Sequence, residues 1–145
     1  MSKVYIMGSM RNPGIVEVAN LLEAEGHDVY ANWLSSGPQA DDCWKEHAKA
    51  RGRTFLEELH GPHVAMVFGN DKKWLDWADV GLLVLPAGKS AFAELGYLRG
   101  SGTPTIALLE DADPERWDIM LRFADHITAS RSHVIELLRP GFDGR

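Results

Sequence analysis

The sequence predicts an α/β fold: an open sheet of five parallel strands with helices on both faces, in a single domain over residues 1–145. Three observations predict it. Short apolar runs alternate with segments whose apolar residues recur at helical spacing. The central run, 80–85, is apolar without interruption, as a strand covered on both faces must be. The chain of 145 residues is 45% hydrophobic and 25% charged, which supplies one core and is too little charge for disorder.

Val4-Tyr5-Ile6-Met7 makes the first strand, ended by Gly8. After Asn12-Pro13-Gly14, the residues Ile15, Val18, Ala19 and Leu22 fall on one helical face, and Gly26 is a natural C-cap. A second strand covers 28–33, and Ser35-Ser36-Gly37-Pro38 has loop composition. Asp41 or Asp42 caps a helix predicted to run to about His60, and Gly61-Pro62 punctuates it before a further helix over 62–77. Beyond the third strand, helices are predicted over 90–100 and 114–123, with strands over 105–109 and 126–129. Ser130 caps a last helix that ends before Pro140. Strands separated by helices need right-handed crossovers, and five strands in this length suit a flavodoxin-like (Rossmann-like) sheet. Ligands of such sheets bind beyond the carboxyl ends of the strands, where strand order reverses.

Composition narrows the function. Lys and Arg total 15 against 21 Asp and Glu, a net charge of −6. That balance argues against a nucleic-acid partner, which needs a basic face, and leaves a small anionic ligand open. The single cysteine, Cys43, excludes an internal disulfide and a Cys-built metal site. Gly61-Pro62 breaks any helix between His60 and His63, and no third ligand accompanies them, so neither metal nor cofactor is expected. The longest apolar run, 80–87, is far short of the roughly 20 residues that span a bilayer, and the apolar run before Gly8 is too brief for a signal core. A soluble, cytoplasmic protein with no membrane partner is expected.

Three stretches carry candidate chemistry. After the first strand, Gly8-Ser9-Met10-Arg11 combines a glycine, a hydroxyl and a guanidinium ahead of a helix start, a pattern suited to an anion. It reads equally as a turn with a solvated charge. After the third strand, Gly88-Lys89-Ser90 is not a P-loop, because Leu83 stands where that motif needs glycine. It is a small-residue turn into a helix that carries Glu94 one turn inside, among Ala91, Ala93, Leu95 and Gly96. Glu94 in a partly apolar setting would have a raised pKa; on an exposed face it would be an ordinary surface charge. Between these stretches lie Asp71, Trp74, Asp76 and Asp79. Asp79 reads as a structural lead-in to the strand, whereas Asp71 and Asp76 are surface carboxylates or acid–base groups. Trp33 is placed either to stack on a planar ring or to fill the core.

In order and spacing these residues resemble the nucleoside 2-deoxyribosyltransferase superfamily over roughly 5–109. The anchors are Tyr5-Ile6-Met7-Gly8-Ser9-Met10-Arg11, then Asp71 with Trp74-Leu75 and Ala78-Asp79-Val80, then Ser90 with Glu94-Leu95-Gly96. The resemblance implies that Glu94 attacks the anomeric carbon, that Tyr5 orients it, and that Asp71 helps protonate or position the leaving base. Such a carboxylate stabilises the oxocarbenium character that develops as the base departs. Gly8, Ser9, Met10 and Arg11 are similar to the loop of the hydrolase branch, which holds a 5′-phosphate together with a serine before the glutamate. Ser90 and Gly88 stand at that position, and Ala91, Phe92 and Ala93 depart from the branch's glycine-rich pattern. The expected substrate is therefore a nucleotide or nucleoside, its sugar passed to water or, in the transferase branch, to another base. A homo-oligomer is implied as well. The stretch from Pro86 to Glu94 is also similar, in register, to the Pro-Gly-Gly-x-Gly-Thr-x-x-Glu motif of the cytokinin-activating phosphoribohydrolases, altered at Ala87, Ser90 and Ala91. The altered turn 91–93 motivates a different class of function, a nucleotide-derivative sensor without catalysis, and a dinucleotide glycohydrolase is a weaker option.

Overall fold

The computed structural model describes residues 1–140. Five parallel strands form one sheet: β1 (Lys3–Met7), β2 (Asp28–Tyr30), β3 (Val80–Val84), β4 (Thr105–Leu108) and β5 (His126–Thr128). Their order is β2-β1-β3-β4-β5, the flavodoxin-like arrangement, and it reverses between β1 and β3. Among the described residues six α-helices accompany them: α1 (Gly14–Ala24), α2 (Ala40–Ala50), α3 (Phe55–Leu59), α4 (Pro62–Trp77), α5 (Lys89–Gly100) and α6 (Arg131–Leu137).

Alternation along each strand sorts the core into two layers. Val4 and Ile6 of β1, with Leu82 and Val84 of β3, meet Ile15, Val18 and Leu22 of α1 and Val134 of α6. On the other face Tyr5, Met7 and Leu83 meet Leu75 of α4 and Ala91, Leu95 and Leu98 of α5. The strand β3 is buried at every residue, as its unbroken apolar run requires. Tyr5, one of the expected site residues, lies in the second layer.

Three expected elements differ. The strand expected over 28–33 stops at Tyr30, and a 3₁₀ turn at Asn32–Ser36 follows, so Ser35 and Ser36 are not open loop. Trp33 causes the break: its indole N–H donates to the Ile6 carbonyl at 2.9 Å, which folds the chain back over β1. The helix expected from Asp41 or Asp42 to His60 is two helices. Gln39 is the N-cap of α2, with Asp41 and Asp42 in its first turn. Gly52, at a φ of 68°, turns the chain, and Thr54 starts α3 through a reciprocal capping box with Glu57. The helix expected over 114–123 is only a 3₁₀ turn at Ile119–Phe123, because Asp113 and Asp118 each bond a backbone N–H two residues on and hold the chain in turns. The rest agrees closely: Ser130 caps α6 by accepting from the His133 N–H, and Asp79 accepts from the Lys3 N–H at the amino ends of β1 and β3.

Among the described residues no helix is long and apolar enough to cross a membrane, and no group of three or more His, Cys, Asp and Glu is placed to hold a metal ion.

Candidate active site

Four elements meet at one cluster. Tyr5 comes from the middle of β1, Tyr30 from the end of β2, Asp71 and Trp74 from α4, and Glu94 from the second turn of α5. Register places Tyr30 directly beside Tyr5, their rings 5.4 Å apart. Trp74 stacks on Tyr30 at 4.5 Å with an interplanar angle of 11°, and Trp77 meets Trp74 edge-on at 5.1 Å. The result is an aromatic wall beside two carboxyl groups.

Glu94 is half-buried, and Tyr5 donates a hydrogen bond from its hydroxyl to Glu94 Oε2. Its helical neighbours Ala91, Leu95 and Leu98 are buried against the sheet, so the carboxyl leaves α5 at the margin of the core. Burial pushes its pKa up to about 7; the Tyr5 hydrogen bond pulls it down and the negative charge of Asp71 pushes it up again. The Tyr5 phenol is held well above its usual value, first by burial and then by the Glu94 charge, so it remains a donor across the working pH range. Burial also raises Asp71. Tyr30 is raised by burial as well, and its hydroxyl accepts from Asn70 Nδ2 at 3.1 Å. A carboxyl group that titrates near neutrality is present in both forms at once, which suits a nucleophile or an acid–base group.

The carboxyl ends of β1 and β3 are joined by Asn12. This buried side chain donates from Nδ2 toward the carbonyls of Val84 and Pro86, each at 3.4 Å, and accepts from the Gly14 N–H at 2.9 Å. The loop 8–13 and the turn 86–88 are therefore fastened side by side. Gly8 serves this packing: an added Cβ would lie 2.5 Å from Ile15 Cδ1 and 3.1 Å from the Val84 carbonyl oxygen. Gly88, the N-cap of α5, faces open space instead. Ser9 accepts the Arg11 N–H at 3.1 Å, which orders the loop, while the Arg11 and Ser90 side chains are exposed and Met10 is half-buried.

Expected residues thus fall into two sets. Tyr5, Asp71 and Glu94 converge. Gly8, Ser9, Met10, Arg11, Gly88 and Ser90 share the two loops at the strand-order reversal. Trp33 is anchored to β1 and packs against both layers of the core, and Asp76 is exposed and paired with Lys72 at 2.8 Å. Tyr30 and Asn12 were not anticipated. The sequence held a signal for each: a tyrosine within the second strand, expected over 28–33, and an Asx residue ahead of Pro13-Gly14 at a helix start.

No family model and no curated protein matches the chain. Among solved structures it is similar to a conserved protein from Enterococcus faecalis V583, at 15% identity and a TM-score of 0.58, over 94% of this chain and 96% of that one. That likeness establishes the fold, an open α/β parallel sheet.

Proposed function

We propose that the protein cleaves the N-glycosidic bond of a (deoxy)nucleoside 5′-monophosphate, as a member of the nucleoside 2-deoxyribosyltransferase superfamily, with Glu94 as nucleophile. The observation that carries this reading is the pair formed by Glu94 and Tyr5: a half-buried carboxyl with a pKa of about 7, oriented by a buried phenol and flanked by Asp71.

In this reading the ionised Glu94 attacks C1′ while the bond from C1′ to the base nitrogen breaks, its electron pair leaving with the base. Asp71, whose pKa burial raises, gives that nitrogen a proton. Water then attacks C1′ of the glycosyl ester, a proton passes back to Asp71, and Glu94 is released as carboxylate. Tyr5 holds one oxygen of Glu94 so that the other faces the sugar. The aromatic wall of Tyr30 and Trp74 supplies flat apolar surface for a base. Ser9, Arg11, Gly88 and Ser90 hold the 5′-phosphate. The exposed apolar side chains of α3 and α4, Phe55, Leu56, Met66 and Phe68 among them, support self-association.

A chromatographic screen of nucleosides and monophosphates, with and without an acceptor base, tests this. Free base and sugar phosphate from monophosphates are expected, and Arg11→Ala should cost monophosphates about tenfold or more in kcat/KM while sparing nucleosides. Product that appears only with an acceptor base would favour the transferase branch. Tight binding with no release across the panel would favour the sensor.

A further inference from the structure

A cavity that does not contain Glu94 opens elsewhere among the described residues. It encloses about 550 Å³ beyond the carboxyl ends of β3 and β4, a size typical of small-molecule sites. None of Tyr5, Asp71 and Glu94 lines it. The two places are separated by α5: Phe92 and Glu94, two residues apart, project about 200° from one another around the helix. Phe92 turns toward the cavity and Glu94 toward Tyr5.

Its wall is mainly apolar, with Leu85, Ala87, Phe92, Leu109, Trp117 and Leu121. Four charged residues complete the lining, and they are not equivalent. Asp113 accepts the Glu115 N–H and Asp118 accepts the Met120 N–H, each at 2.9 Å, so both carboxylates are engaged by the turns that build the rim. Lys89 and Arg116 are exposed and, among the described residues, neither side chain has a hydrogen-bond or ion-pair partner. One oxygen of each carboxylate is thus held by its own turn, whereas the donors of Lys89 and Arg116 are wholly unengaged. Trp117 adds a second pointer. Its indole N–H is tied back to the Pro114 carbonyl at 2.8 Å, yet the residue is 91% exposed, which leaves a fixed aromatic surface uncovered at the cavity mouth.

We propose that this cavity is a second ligand site, for a small molecule with a flat apolar body and one acidic group. The body lies against Phe92, Leu121 and the Trp117 ring, and the acidic group meets Lys89 and Arg116. Gly88 lines the cavity and is also given to the 5′-phosphate in the proposed function, so an occupant abuts the proposed catalytic site at that residue while Tyr5, Asp71 and Glu94 lie outside it.

Two fluorescent probes with one ring system test the proposal: 8-anilino-1-naphthalenesulfonate, which carries an acidic group, and neutral N-phenyl-1-naphthylamine. The sulfonate is expected to bind saturably and more tightly. The double variant Lys89→Gln/Arg116→Gln, confined to exposed side chains, should weaken the sulfonate about tenfold and leave the neutral probe unchanged. Ala112→Trp, which fills the cavity, should abolish binding of both, with a thermal transition recorded alongside to show that the variant is folded. A second cavity-lining variant, Leu121→Trp, should do the same. Sulfonate affinity unaffected by the double variant, or probe binding that survives both filled-cavity variants, would overturn the assignment and place the probes on another apolar surface such as that of α3 and α4.

Discussion

Glu94 is an acid whose environment opposes its charge. Burial and the Asp71 carboxylate both disfavour ionisation, and one hydrogen bond from Tyr5 opposes them. With a pKa of about 7, the reactive anion is a minority form in mild acid and dominates above neutrality, so the rate should fall about tenfold per pH unit well below 7. Tyr5→Phe removes the interaction that lowers this pKa. The acid limb of the profile should therefore move to higher pH, and the variant should lose more activity at pH 6 than at pH 8.5, on top of a loss of about 10- to 100-fold from misorientation. A pH–rate profile of both proteins checks it; an acid limb that stays in place would mean that Tyr5 does not act on Glu94. Little of this was legible residue by residue. Ala91 and Leu95 point to an apolar setting, and burial of Glu94 itself raises its pKa, but Tyr5 and Glu94 are 89 positions apart and no local period links them. Their partnership came from the resemblance.

At the scale of elements, the sheet was legible because apolar runs write themselves directly into sequence, β3 most plainly. The helices over 41–60 and 114–123 were not, because side-chain caps decided them. Thr54 with Glu57, and Asp113 and Asp118 with their own backbone, outweigh helical spacing in those segments. Polar networks also fasten the two ends of the sheet. At the amino ends, Asp125 accepts from the Thr105 N–H at 2.8 Å and the Thr105 hydroxyl at 3.1 Å, and it pairs with Arg99. At the carboxyl ends Asn12 plays the comparable part. Asp125→Ala leaves the buried Thr105 N–H unpaired and should cost about 2 kcal/mol of stability while kcat/KM on the best substrate stays unchanged. Asn12→Ala should lower stability comparably and kcat/KM as well, since it releases the two loops from one another. Denaturant melts beside steady-state kinetics separate the two; equal kinetic losses would mean that the clamp has no special place in the site.

The candidate site lies where an open parallel sheet offers one, near the reversal between β1 and β3, with α4 and α5 closing one face. The crossover from β2 to β3 carries α2, α3 and α4, and its apolar side chains stand out: Phe55 is 69%, Leu56 67%, Met66 67% and Phe68 65% exposed. A patch of this kind on paired helices is suited to a second copy of the chain. Light scattering should give a mass about twice the 16.1 kDa of the chain, and Leu56→Glu/Phe68→Glu should return it to one. A monomer at every concentration would contradict that reading and leave the face without this role.

The proposed reaction requires Glu94 to touch the sugar, and base release by Glu94→Ala tests that contact most directly. With the best monophosphate found for the wild-type protein, the variant should lose at least about a thousandfold in kcat, because the substitution removes the proposed nucleophile. Turnover equal to the wild type would remove Glu94 from the reaction and contradict the mechanism.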